Sequence, residues 1–318
     1  EKYDDAFQFI RDVACDWDDS KYLEAVKQKF TGTKRRNMTG WAFLLPATIL
    51  IFAMSFYPMI QAFILSFKSG IGNNLVWSGL SNYKRLLGDG VFKTAMVNNF
   101  VYLIIQVPVM LILAILLAVL LNKPHLKCKG LFRTAIFLPC CTALVSYSII
   151  FKTLFAYDGY VNTVLLHLGL IHSRINWLGQ TSTAKVILII ALIWRWTGYN
   201  MVFYLAGLQN IDGSLYEAAT IDGAGPVKTF FHITLPLLRP TILLTTIMSI
   251  NGTLQLFDES VNLTGGGPAN STLTMSHYIF KTSFEYNSQF GYAAAMSYVI
   301  FILVAILSFI QMKVGDKR

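Results

Sequence analysis

Long apolar runs separated by short polar stretches dominate the chain. Six of them, Trp41–Phe67, Ala95–Leu121, Thr134–Phe151, Val186–Leu208, Thr241–Phe257 and Gln289–Met312, hold one formal charge among them, Arg195. A hydrocarbon core about 30 Å thick takes about 20 apolar residues as helix, and all six runs reach or approach that length. In lipid the backbone must satisfy its own polar groups, which a helix does within one segment. The pattern predicts an all-α membrane protein with six transmembrane helices, the short fifth extending beyond its apolar run in both directions.

Composition agrees with this pattern. Of 318 residues, 54% are hydrophobic and only 14% charged, against about 25% charged in soluble domains. Disorder, a nucleic-acid partner and a disulfide-stapled secreted fold are poor fits, and the net charge of +9 is first a matter of membrane topology. With both termini on one side, the flanks 27–40, 122–133, 209–240 and 313–318 carry 14 Lys and Arg, against 8 in the longer opposite loops. The positive-inside rule then makes both termini cytoplasmic, with Lys34-Arg35-Arg36 as the strongest signal.

The expected layout is an N-terminal cytoplasmic segment (1–40), a six-span transmembrane domain (41–312) containing a long cytoplasmic loop (209–236), and a short tail (313–318). Residues 1–26 carry eight acids and three bases and no apolar run of the kind a secretory leader needs. The stretch 22–30 reads as an amphipathic segment against the bilayer or a partner, or as a plain tether. The chain opens on Glu1, which leads us to expect an upstream start. Cys15, Cys128, Cys140 and Cys141 have no metal-ligand or redox spacing, so no disulfide is expected.

The loop between the fourth and fifth runs is dense in local signals. Ser214 and Glu217 have capping-box spacing, which predicts a helix from there. Asp222-Gly223 is a turn dipeptide that ends it. Pro226 suits the first position of a second helix, and Pro236 marks the entry to the next span. Phe230, Phe231 and Ile233 give the second helix an apolar side that invites a protein partner.

Glu217-Ala218-Ala219, Asp222-Gly223-Ala224 and Ile233-x-Leu235-Pro236 together resemble the EAA loop of ATP-binding-cassette (ABC) importer permeases. The resemblance covers about residues 40–315. Leu263-Thr-Gly-Gly-Gly-Pro268, Thr272 and Tyr278-Ile-Phe280 are similar to the carbohydrate-uptake branch, which includes maltose, lactose and multiple-sugar permeases. The sequence departs from that branch at Asp212, where many members carry proline.

The resemblance implies a type I importer fold in a bacterial or archaeal cytoplasmic membrane, and a coupling helix seated on a cytoplasmic ATPase. It further implies two ATPase copies, a second related permease and an extracytoplasmic sugar-binding protein. No cofactor is implied for this chain; ATP and Mg²⁺ belong to the ATPase, consistent with the absence of a G-x-x-x-x-G-K-[ST] phosphate loop here. The chain is then not an enzyme. Each loop residue has a plainer reading too. Glu217 can cap its helix, Asp222 can shape the turn, Gly223 can serve backbone geometry, Ala218 and Ala219 can be ordinary helix residues, and Phe230 and Phe231 can pack on the chain's own spans.

Sugars are bound by aromatic faces with amides and hydroxyls, and transporter sites sit near mid-membrane. Trp196, Tyr199 and Asn200 of the fourth span, with Asn251, Thr253 and Gln255 of the fifth, supply those groups. The resemblance places sugar contacts on the same two spans, with Tyr199 as one aromatic contact. Interhelical hydrogen bonding is the alternative for the polar residues. Arg195 costs about 2.5–3.5 kcal/mol in a span and needs a cavity or a partner. An acidic saccharide such as a uronide oligosaccharide, a glycerol-phosphate-type substrate, or pairing with Asp258 and Glu259 would each satisfy it. A structural role is the preferred reading, since a basic residue after this tryptophan is not unusual in the branch the chain resembles. An ion-coupled secondary transporter predicts carboxylates within the spans, and none is there. A membrane enzyme predicts a convergent cluster, whereas His125, His167, His172, His232 and His277 are scattered.

Overall fold

The structure, a computed structural model, describes residues 39–123 and 126–315. Most of the N-terminal segment, including Cys15, the 22–30 stretch and the Lys34–Arg36 cluster, lies outside the described residues, as do His125 and residues 316–318. The chain divides into two compact units, residues 1–62 and 63–318. In the first, the described part is the greater length of helix α1 (Thr39–Ser66), which passes through a π-helical turn at Phe52–Phe56.

The second unit opens with a feature the apolar pattern does not predict, a hairpin of β1 (Lys68–Ile71) and β2 (Asn74–Trp77). It is antiparallel, with Lys68 opposite Trp77. Asn82, on the short helix α2 (Ser81–Gly88), fixes it by donating to the carbonyls of Ser66 and Lys68, both at 2.8 Å. Asp89 then caps helix α3 (Gly90–Asn122), accepting from the backbone N–H groups of Val91 and Phe92 at 2.8 and 3.1 Å.

Helices α1, α3, α7 (Thr181–Gln209) and α12 (Phe290–Gly315) are each long and apolar enough to span a membrane. Among the described residues the count reaches six when each of two bent pairs is taken as one span. The third span consists of α4 (Lys129–Cys141) and α5 (Leu144–Leu154), which meet at 99°. Thr142 and Ala143 between them are extended, and the Thr142 hydroxyl donates to the Pro139 carbonyl at 2.7 Å. The other pair, α9 (Pro226–Leu237) and α10 (Arg239–Leu254), meets at 67° across Leu238. Pro240, one residue into α10, has no N–H to carry the preceding helix forward. The small helices α6 (Tyr160–His167), α8 (Gly213–Ile221) and α11 (Met275–Phe280) lie in connecting segments.

Helix α3 has its pattern inverted relative to a soluble helix. Its buried face carries Asn98, Asn99, Tyr102, Gln106, Met110, Ala114 and Ala118, while Ile104, Ile112, Leu116 and Leu120 are exposed. Lipid makes this arrangement stable, because aliphatic side chains lose nothing by facing acyl chains, and small or polar residues knit the helices together. Val107, Leu111 and Ala114 of α3 pack with Met201, Tyr204 and Leu208 of α7 in one core. Asn99 donates to the carbonyls of Thr253 and Leu254, both at 3.0 Å, and accepts from the Met275 N–H at 3.0 Å. Helix α7 also lies hard against α4. A methyl group on Gly198 would collide with the Ile136 carbonyl, so only glycine permits that approach.

Candidate functional site

A cavity of ≈ 420 Å³ opens among α3, α7, α10 and the segment after α10. That volume falls within the range of small-molecule sites. Arg195, Trp196, Tyr199, Asn200, Thr253 and Gln255, all singled out from the sequence, line it. Asn251 does not. It lies one helical step aside and accepts from the Ser308 hydroxyl at 3.1 Å, as an interhelical tie. The register left open in the fifth span thus places Thr253 on the cavity wall. Several contributors were missed, among them Gln106 and Met110 of α3, Ser249 of α10 and Phe257. Gln106 left a readable signal, as the only amide in the central part of an uncharged run.

The polar lining is a connected network. Thr253 Oγ1 donates to Gln106 Oε1 at 3.0 Å, and Gln106 Nε2 in turn points at Met110 Sδ at 3.2 Å. Asn200 Nδ2 donates to the Trp196 carbonyl at 3.0 Å and also approaches Met110 Sδ at 3.6 Å. The Ser249 hydroxyl faces Asn200 Oδ1 at 3.5 Å. Two amide donors therefore converge on a thioether, a weak acceptor. Trp196 and Tyr199 meet edge to face, with centroids 5.7 Å apart, and present aromatic surface beside these donors.

Farther along α7, Arg195 is only 6% exposed. Its guanidinium carbon sits 4.7 Å from the centre of the Tyr147 ring and 5.6 Å from that of Trp196. Among the described residues, neither Nε nor Nη1 has a hydrogen-bond partner. Asp258 and Glu259 line the same cavity, and Glu259 is 4% exposed.

The 209–236 loop lies apart from the cavity. Helix α8 starts one residue before the expected capping box, because Asp212 is its cap and accepts from the Ser214 N–H at 3.0 Å. That contact holds the Asp212 carboxyl below its ordinary range. The residue that departs from the family pattern thus does the work expected of Ser214 with Glu217. Helix α8 ends in a Schellman turn: Ala224 N donates to Ala219 O at 2.8 Å and Gly223 N to Thr220 O at 3.1 Å. Gly223 has φ +73° with open space around its α-carbon, so backbone conformation, not crowding, requires glycine there.

Pro226 begins α9 as expected, and Pro236 stands one residue before that helix ends and the chain bends into α10. Phe230 packs partly on the α3–α7 core, whereas Phe231 points away and is 56% exposed. Glu217, Ala218 and Asp222 are exposed and Ala219 is buried. With Ile221 and Val227, also exposed, Phe231 leaves apolar surface bare on one loop.

Residues 90–318, most of the chain, match the family described as binding-protein-dependent transport system inner membrane component. The chain belongs to this family. It is a non-catalytic permease subunit of an ABC importer, embedded in the membrane. The permease is 51% identical over 284 residues to the lactose transport system permease protein LacF of Rhizobium radiobacter, covering 89% of this chain and 95% of that one. It is 34% identical to the multiple sugar-binding transport system permease protein MsmF of Streptococcus mutans, covering 87% and 95%. Its fold matches that of a bacterial ABC transporter involved in the import of the acidic polysaccharide alginate, with a TM-score of 0.81 at 23% identity over 91% of this chain and 99% of that one.

Proposed function

We propose that this permease carries a sugar or short oligosaccharide inward, with the α3–α7–α10 cavity as its membrane site. The observation that carries this reading is the lining itself, with amides and hydroxyls from three helices beside the Trp196–Tyr199 aromatic pair. Hydroxyl-rich rings with apolar C–H faces need that combination. The similarity to LacF and MsmF, nearly end to end, supports the same substrate class.

The termini and the 209–236 loop face the cytoplasm, as the distribution of Lys and Arg favours. There the exposed patch of Ile221, Val227 and Phe231, with Glu217 and Asp222 alongside, seats on an ATPase subunit. Two ATPases, a second permease and an extracytoplasmic binding protein complete the machine, and ATP with Mg²⁺ is bound by the ATPases. Closure of the ATPase pair draws the coupling helices together and turns the cavity from one side of the membrane to the other.

The test uses the complete assembly in proteoliposomes. Gly223→Asp, which places a side chain on a positive-φ residue, and Glu217→Lys, which reverses charge at the docking surface, should each leave membrane insertion intact. Substrate-stimulated ATP hydrolysis should fall at least tenfold. Full stimulation in both variants overturns the coupling role.

A further inference from the structure

Arg195 is the least satisfied group in the cavity, and its surroundings bear on what the cavity accepts. A buried guanidinium with two nitrogens unpartnered among the described residues seeks an acceptor. A carboxylate or phosphate on the substrate would serve, but Asp258 and Glu259 already line the same cavity. A negatively charged ligand drawn to Arg195 would therefore meet two acidic side chains on the same cavity wall, and like charges repel. A hydroxyl group has neither conflict, because it accepts from the guanidinium and donates to a carboxylate. Two adjacent hydroxyls on one ring match a fork of N–H donors faced by carboxylate acceptors. The Tyr147 and Trp196 rings flank the guanidinium and restrict how it turns.

We infer that Arg195, Asp258 and Glu259 form a charge-balanced clamp for a diol, selecting an uncharged saccharide over a uronide. The inference rests on the reading of the cavity as a sugar site. It gives Arg195 a direct hydrogen-bonding role in substrate selection, while its fixed position among aromatic rings keeps the ring's polar edge toward the acidic pair.

The experiment uses the purified assembly of this permease with its partner permease and ATPases, without the binding protein, so that selection by the latter does not enter. The probes are lactose, a panel of other neutral disaccharides, and digalacturonate, each at millimolar concentration, with the ligand-induced rise in Tm as the readout. A neutral disaccharide should raise Tm and digalacturonate should not. Arg195→Gln should abolish the rise, and Arg195→Lys, which keeps the charge but loses the fork, should retain part of it. Asp258→Asn with Glu259→Gln should let digalacturonate raise Tm. Intact assembly of each variant, checked by gel filtration, separates lost binding from lost folding; a variant that does not assemble is replaced by titrating the native assembly with methylated disaccharides, where blocking the diol should remove the shift. Digalacturonate raising the native Tm as much as a neutral sugar overturns the clamp, as does an undiminished neutral-sugar shift in Arg195→Gln. If no sugar of either kind shifts the native assembly, the sugar-site reading itself fails.

Discussion

Gln106 and Asn200 aim amide N–H groups at one sulfur, and a thioether satisfies such donors poorly. Their carbonyl oxygens face hydroxyls of Thr253 and Ser249, which sets which end of each amide faces Met110. A sugar oxygen is a better acceptor than sulfur, so substrate entry improves the hydrogen bonding of groups already in position. Gln106→Leu keeps the volume and removes the donor. It should raise the KM for uptake about tenfold, the loss of one hydrogen bond of about 1.4 kcal/mol, with little change in maximal rate. Transport kinetics in proteoliposomes check this, and an unchanged KM would leave Gln106 as an interhelical tie. The sequence brought most of this wall into view through Trp196, Tyr199, Asn200, Thr253 and Gln255. It left out Gln106 because that residue comes from a helix whose remaining pattern speaks only of lipid, and it included Asn251 because two positions on a helix turn to different neighbours.

Among the elements, the segment between α10 and α12 is tied by a buried pair. The Ser260 hydroxyl donates to the Thr272 carbonyl at 2.8 Å, so its contact with His277 Nδ1, also 2.8 Å, leaves the imidazole as donor. Burial, with Lys281 nearby, pushes His277 down to about 4. An unfolded histidine titrates near 6.5, so below that pH the unfolded segment binds more protons than the folded one. The segment is at full stability above about pH 6.5 and loses it as pH falls toward 4. Hydrogen exchange across residues 260–285 should therefore speed up between pH 7 and 5, after correction for intrinsic rates, and His277→Asn should flatten that dependence. Equal slopes in the two proteins would remove His277 from the account. Element boundaries were less legible than the spans. Asp212 outcompeted Ser214 as a cap, although both residue types cap well, and the choice was made by where the preceding helix α7 released the chain. The break at Thr142–Ala143 carries no glycine and no proline of its own, so an unbroken third span was the natural expectation.

For the whole molecule, the outward face of α3 is the clearest record of its solvent. Ile112 sits close to the middle of that helix and is 57% exposed, which only a bilayer would cover comfortably. Ile112→Arg should disfavour insertion by about 2.5–3.5 kcal/mol at the helix centre, read as a reduced inserted fraction in a membrane-insertion assay. Undiminished insertion would mean that a protein neighbour or water, not lipid, faces this stripe. Six spans were legible because an uncharged run of about 20 residues has few other stable fates. The hairpin at 68–77 was not, since its four-residue strands contain Gly70 and lack a sustained alternation.

The 99° junction in the third span has a mechanical consequence. Its first half, α4, is seated on α7 through the bare backbone at Gly198, while its second half, α5, packs against the turn at Ser260–Thr264. Both halves also rest on α7, because Tyr147 and Phe151 of α5 share a core with Ile187, Leu188 and Leu192. The Thr142 N–H and hydroxyl both donate to the Pro139 carbonyl, and the Ala143 carbonyl accepts from the Tyr147 N–H, so each side of the bend is tied to its own helix. The span works as a corner brace: two arms at right angles grip one helix at two heights, and Leu144 at the start of the second arm reaches the cavity wall.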